Sequence, residues 1–203
     1  MEERKLSEKE SLEIISQMIQ NTKERMENGT GSTMLMMGYL TVAVSIAVYV
    51  GILLTRDMHW NFLWLAILFI GYPVALLMDK KKKRRLNYHK TQIDSAISAV
   101  WSVMGACMLF ATFFYCWKSY AVVLMPIALI LIGIGSTITF SILKMKKIAS
   151  LCALGIALGM GILGDSLQHG CLNINSILFF ALGFVLITII PGHYINYKAR
   201  KKC

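Results

Sequence analysis

The sequence predicts an all-α membrane protein: a polytopic bundle of six transmembrane helices arranged as three hairpins, preceded by an amphipathic cytoplasmic helix. Three observations predict it. The 203 residues are 56% apolar and only 16% charged, against about 45–50% and about 25% in soluble domains. The apolar residues fall into six runs of about 17–24 residues, enough to span about 30 Å of hydrocarbon at about 1.5 Å per residue. The runs do not alternate apolar with polar residues, so helices rather than a closed barrel satisfy the backbone in lipid.

Residues 1–33 come first, as a helix and linker. They carry five basic and seven acidic groups and no continuous apolar core, which argues against a signal peptide. Leu12, Ile15, Ile19 and Met26, flanked by Ile14 and Met18, recur at helical spacing and make one apolar stripe. Ser7 with Glu10 reads as a capping box, and Asn28 with Gly29 as the stop. Helices that lie on anionic lipid are usually basic. This slightly acidic one is expected to contact the protein's own basic face, or a cytoplasmic partner through residues 8–28.

The transmembrane domain, 34–196, follows, with spans at about 34–54, 62–78, 95–116, 120–143, 148–164 and 174–192. A basic tail, 197–203, ends the chain. Orientation rests on Lys80, Lys81, Lys82, Lys83, Arg84 and Arg85, which are costly to move across a bilayer. With the N-terminus inside, the inner segments hold five, seven, three and four basic residues, and the outer loops hold only Arg56 and Lys118. The positive-inside rule therefore places both termini in the cytoplasm. Trp60, Trp64, Tyr115 and Trp117 gather at the outer ends, and Tyr72, Tyr88, Tyr194 and Tyr197 at the inner ends, as amphipathic rings do at headgroups.

Each returning helix carries a weak point seven residues before its basic cluster: Pro73, Thr137 after Gly135, and Pro191. Kinks are expected there, either as ordinary membrane-helix irregularities or as a pseudo-threefold gate. Gly155 and Gly159 form a GxxxG on the fifth helix, and Ala149, Ala153, Ala157 and Gly161 a second small-residue row. These favour internal packing, with homodimerisation through helix five as the alternative. Ser95, Ser98, Ser102 and Gly105 make a small, weakly polar stripe on the third helix.

None of the six runs contains Asp, Glu, Lys, Arg or His. Proton relays and ion-coupled carriers place such groups at mid-bilayer, intramembrane metal hydrolysis needs His and carboxylate ligands, and a serine nucleophile needs a base. Ionisable groups sit at the rims instead. Asp57, His59, Asp165 and His169, near Cys171, are the weak outer candidates for a divalent cation. His193 follows Pro191 and Gly192 at the inner rim, where freed carbonyls could accept its N–H. The five cysteines show no CxxC spacing and support neither zinc nor a redox motif; a disulfide between Cys116 and Cys171 stays open. No cofactor is expected. The net charge of +10 is gathered at span ends, so it marks topology rather than nucleic-acid binding.

Two strings, Glu10-Ser11-Leu12-Glu13-Ile14-Ile15-Ser16-Gln17-Met18-Ile19 and Pro191-Gly192-His193-Tyr194-Ile195-Asn196, together with the six spans, resemble small bacterial integral membrane proteins. The resemblance implies a multi-pass protein of the bacterial inner membrane and no activity, cofactor or catalytic residue. The expected role is non-enzymatic scaffolding or regulation through the N-terminal helix. The alternative is a facilitator for a small neutral or lipid-like solute, lined by Ser and Gly of helices three and four. An enzyme working at a rim comes third.

Overall fold

The computed structural model describes residues 8–27, 30–85, 92–117 and 123–201. Ser7, Asn28, Gly29, Tyr88, Lys118 and Cys203 lie outside them, as do the side chains of Met26, Lys82, Lys83, Arg84, Arg85, Tyr115, Cys116 and Trp117. Among the described residues there is no strand.

Helix α1 covers Glu8–Glu27 and α2 Thr30–Thr55. The second span is composite: a 3-10 turn (Met58–Trp64), a π turn (Ile67–Gly71) and α3 (Tyr72–Arg85). Next come α4 (Gln92–Trp117), α5 (Leu124–Ile142) and α6 (Lys146–His169). The sixth span is again composite: α7 (Ser176–Phe184), a π turn (Val185–Ile189) and α8 (Ile190–Arg200). Six stretches, from Gly31–Thr55 to Ser176–Lys198, are long and apolar enough to cross a membrane. They mark the chain as membrane-embedded, with both described chain ends on the same side of the bundle.

The three hairpins form, but they are not equivalent. The first, fourth, fifth and sixth spans make the core: α5 lies along α6, α6 against α7, and α2 against α7 and α8. Of the most apolar stretch of each span, 61% is buried in the sixth, 6% in the second and none in the third. The second span leans on α2 and reaches the core with Trp64, edge-on to Phe180 at 5.4 Å. Helix α4 leans on α5, where the Trp101 indole N–H donates to Thr139 Oγ1 at 3.2 Å. Leu129, Phe140, Cys152 and Ile187 fill the centre and are essentially inaccessible. Outside, Leu54, Phe69, Leu77, Leu109, Phe110, Leu154 and Phe179 are exposed. An apolar surface around an apolar core is what a bilayer, not water, accommodates.

Glycines allow the close approaches. A methyl on Gly159 would meet Ile130 Cγ1 at 2.7 Å and the Pro126 carbonyl oxygen at 3.3 Å, and one on Gly155 would meet Ile187 Cδ1 at 2.5 Å. The GxxxG face therefore packs inward, on α5 and on the sixth span. Of the second row only Ala149 is buried, whereas Ala153, Ala157 and Gly161 are exposed.

Proline explains both π turns. It has no N–H for the carbonyl four residues back, and its ring crowds that carbonyl; widening the preceding turn relieves the clash. Pro73 and Pro191 each sit two residues beyond a π turn, Ile67–Gly71 and Val185–Ile189. Helix α5 instead runs unbroken past Thr137, so the third weak point does not distort. The two prolines also differ in setting, Pro191 being fully buried and Pro73 exposed.

Candidate functional site

The outer-rim candidates form two separate pairs. At the start of the 3-10 turn, the Asp57 carboxylate accepts the His59 backbone N–H at 2.9 Å and lies beside His59 Nδ1. The backbone donor first, and then the imidazole, hold the Asp57 carboxyl below its ordinary range. At the end of α6, Asp165 Oδ1 lies 3.2 Å from His169 Nδ1, one helical turn away. Both pairs are solvent-facing. Among the described residues no three His, Cys, Asp or Glu side chains converge as a metal site requires. Cys171, two residues beyond His169 in the chain, is a free, exposed thiol.

Inside the bundle, hydroxyls are spent locally. Thr41, Ser45, Thr139, Ser166 and Thr188 are buried, and each donates to the carbonyl four residues earlier on its own helix at 2.6–2.9 Å. Thr139 Oγ1 also accepts the Trp101 indole N–H of α4. Thr137 Oγ1 is buried without a hydrogen-bond partner. No Asp, Glu, Lys, Arg or His among the described residues is buried. The helices do run longer than the apolar runs, so Asp94, Asp165 and His193 ride inside the spans near their ends.

The residues expected to line a solute path are not brought together. Ser95, Ser98, Ser102 and Gly105 are all exposed, a methyl on Gly105 would meet nothing within 4 Å, and Ser102 bonds the Ser98 carbonyl of its own helix at 2.8 Å. Gly135 is buried against Met104 and Trp101 of α4.

The helix-breaking proline of the sixth span organises its surroundings in a way the sequence did not make explicit. Pro191 leaves the Ile187 carbonyl without its helical donor. Cys152, across on α6, supplies one, its Sγ lying 3.9 Å from that oxygen. His193 takes no freed carbonyl; its Nε2 lies 2.7 Å from the Tyr39 hydroxyl of α2. Beside this contact Gly192 touches Leu35 and the Gly31 carbonyl, and Gly38 packs on Thr188. The signal for Cys152 was present in principle, since a buried proline obliges some donor to face the carbonyl four residues back. Tyr39, one polar tip in an apolar run, likewise needed a partner.

At the end carrying the termini, α1 touches α2, α4 and α8. Met18 and Ile19 are half-buried, but Leu12 is 67% and Ile15 51% exposed. Among the described side chains, the expected stripe is therefore partly covered at Met18 and Ile19 and open at Leu12 and Ile15. Lys80 and Lys81 of α3 are exposed. Lys144, Lys146 and Lys147 meet Lys198 and Tyr194 around a cavity between the α5–α6 turn and α8.

No protein-family model, curated protein or solved structure matches this chain.

Proposed function

We propose that the protein is a non-enzymatic scaffolding or regulatory protein of the bacterial inner membrane. Both termini lie in the cytoplasm, and α1 serves as the contact element for a cytoplasmic partner. The observation that carries this reading is the half-docked α1: one part of its apolar stripe is seated on the bundle while Leu12 and Ile15 stay exposed. The orientation is supported by the segregation of basic residues at one end of the spans.

The packed centre supports the same reading. The hydroxyls of Thr41, Ser45, Thr139, Ser166 and Thr188 are bonded to their own helices, and the glycines of the centre are occupied by neighbouring side chains, which leaves a carrier little prepared polar path. Catalysis would need a base or a metal beside a nucleophile, and the rim pairs offer neither arrangement.

The test uses the full chain in its native membrane with a photo-crosslinker at Leu12, at Ile15 or, as a docked comparison, at Ile19. A defined partner captured from Leu12 and Ile15, and lost when Leu12 and Ile15 are changed to Asp, is expected. Crosslinks to lipid or to the same chain alone would remove the partner role. Proteoliposome permeability to small neutral solutes above that of protein-free vesicles would transfer the assignment to a facilitator.

A further inference from the structure

The turn between α5 and α6 leaves a cavity of about 300 Å³ at the end of the bundle that carries the termini. Lys144, Lys146, Lys147 and Lys198 line it together with Tyr194, and Met145 and Ile148 complete its apolar part. No acidic residue among those described is in the lining. Among the described residues, Lys144, Lys146 and Lys147 make no ion pair with a carboxylate. Like charges gathered around one cavity repel, and an anion in it turns that repulsion into attraction.

The backbone supplies a second observation. Lys144 is left-handed, at φ 56°, and it closes α5: its N–H bonds the Ser141 carbonyl at 3.0 Å, and the Met145 N–H bonds the Phe140 carbonyl at 2.8 Å. This helix-ending motif ordinarily uses glycine, because a β-carbon is strained there. The turn therefore holds Lys144 in the cavity lining beside Lys146 and Lys147.

We propose that this cavity binds a phosphate-bearing anion. The headgroup phosphate of an anionic glycerophospholipid is the source that its position favours. The lysines sit where α5 ends and α6 begins, at the level at which the apolar spans give way to charge. Basic pockets between helices at this level suit phospholipid headgroups. The Tyr194 hydroxyl and the lysine ammonium groups are donors, as phosphate oxygens require.

The test uses the full-length protein, extracted in a zwitterionic detergent, with added phosphatidylglycerol or phosphatidylcholine and native mass spectrometry to read bound lipid. Wild type is expected to hold phosphatidylglycerol in preference to phosphatidylcholine. Each lysine removed should weaken that binding about fivefold, so K144G/K146Q/K147Q should lose about a hundredfold. K144G alone places glycine where the backbone prefers it, so it keeps the fold and still reports the fivefold step; thermal melting checks both variants. K80Q/K81Q, which removes exposed lysines elsewhere at the same end, should bind as wild type.

Competition by inorganic phosphate, with the same lysine dependence, would show that a free phosphate also fills the site. Its failure to compete would assign the site to lipid alone. Equal binding of the two lipids by wild type, undiminished binding by a folded triple variant or by K144G, or an equal loss in K80Q/K81Q would each overturn the proposal.

Discussion

Gly159→Ala isolates the approach of α5 to α6. The new methyl would meet Ile130 Cγ1 at 2.7 Å, with the Ile130 nitrogen and the Pro126 oxygen at 3.3 Å behind it. The side-chain atom can turn aside, but the two backbone atoms cannot, so α5 must shift by a few tenths of an ångström. Overpacking of this kind costs about 1–3 kcal/mol. The same substitution gains about 1 kcal/mol of helix propensity, so the net change for G159A is near zero to about 2 kcal/mol of lost stability. Gly161→Ala is the control on the same helix. Nothing lies within 4 Å of its added methyl, so it keeps the propensity gain without the clash. The propensity contribution cancels between the two variants, leaving G159A about 1–3 kcal/mol below G161A. Equilibrium unfolding of the full chain in mixed micelles, followed by tryptophan fluorescence, measures that difference. Equal stability of the two would refute the close α5–α6 contact. Loss of a dimer in G159A, with unchanged unfolding of the monomer, would make the GxxxG face intermolecular.

Cys152→Ala removes the donor facing the Ile187 carbonyl and should cost about 1–3 kcal/mol in the same unfolding assay. In wild type, Cys171 in the rim should alkylate in the folded state, and Cys152 only on unfolding. Tyr39→Phe deletes the hydroxyl that meets His193 Nε2; polar contacts between membrane helices average about 0.6 kcal/mol, so a loss of that order is expected. Asp57 is depressed by donors that the folded turn supplies. Its contribution to the 3-10 turn should be present above the ordinary carboxylate range and be lost only as the pH falls through the depressed folded value. The His59 amide shift followed by NMR reports it, and a midpoint at or above the ordinary aspartate value would contradict the geometry.

Composition and periodicity carry the six spans, because burial in lipid needs only length and apolar character. They do not carry which spans are central. Runs two and three are as apolar as runs four and five, yet they pack at the margin, and nothing in their hydropathy distinguishes the two situations. Gly155 and Gly159 stand out in the sequence as candidate packing residues, since small residues at that spacing admit a neighbouring helix from inside or outside equally; the side chains of Ile130 and Ile187 lie against them. The prolines were legible as distortions, and the third position was not equivalent: Thr137 keeps its backbone N–H, so α5 has no reason to widen there. Ser102 looked like a pathway residue because polarity is visible in a sequence and facing direction is not. The basic cavity needed tertiary structure, because Lys198 is more than fifty residues from Lys144 along the chain.

Helix α8 is the one element shared by the proposed partner contact and the basic cavity. It touches α1 and α2, it carries Tyr194 and Lys198 into the cavity, and it begins immediately after the π turn that Pro191 requires. A π turn marks a local irregularity of the helix, and α8 continues from it along α2 and α1. The Tyr39–His193 contact and the Gly31 and Gly192 approaches hold that segment against α2, and Gly38 holds the π turn before it. A partner that pulled on α1 would act on the same segment that a bound phosphate holds through Lys198. Occupancy of the cavity and engagement of α1 should therefore be coupled, and by linkage the coupling must be reciprocal. The reciprocity can be measured: saturating phosphatidylglycerol should change crosslinking at Ile19 in wild type and leave it unchanged in K144G/K146Q/K147Q. An equal lipid effect in both proteins would separate the two sites and confine α8 to a structural role.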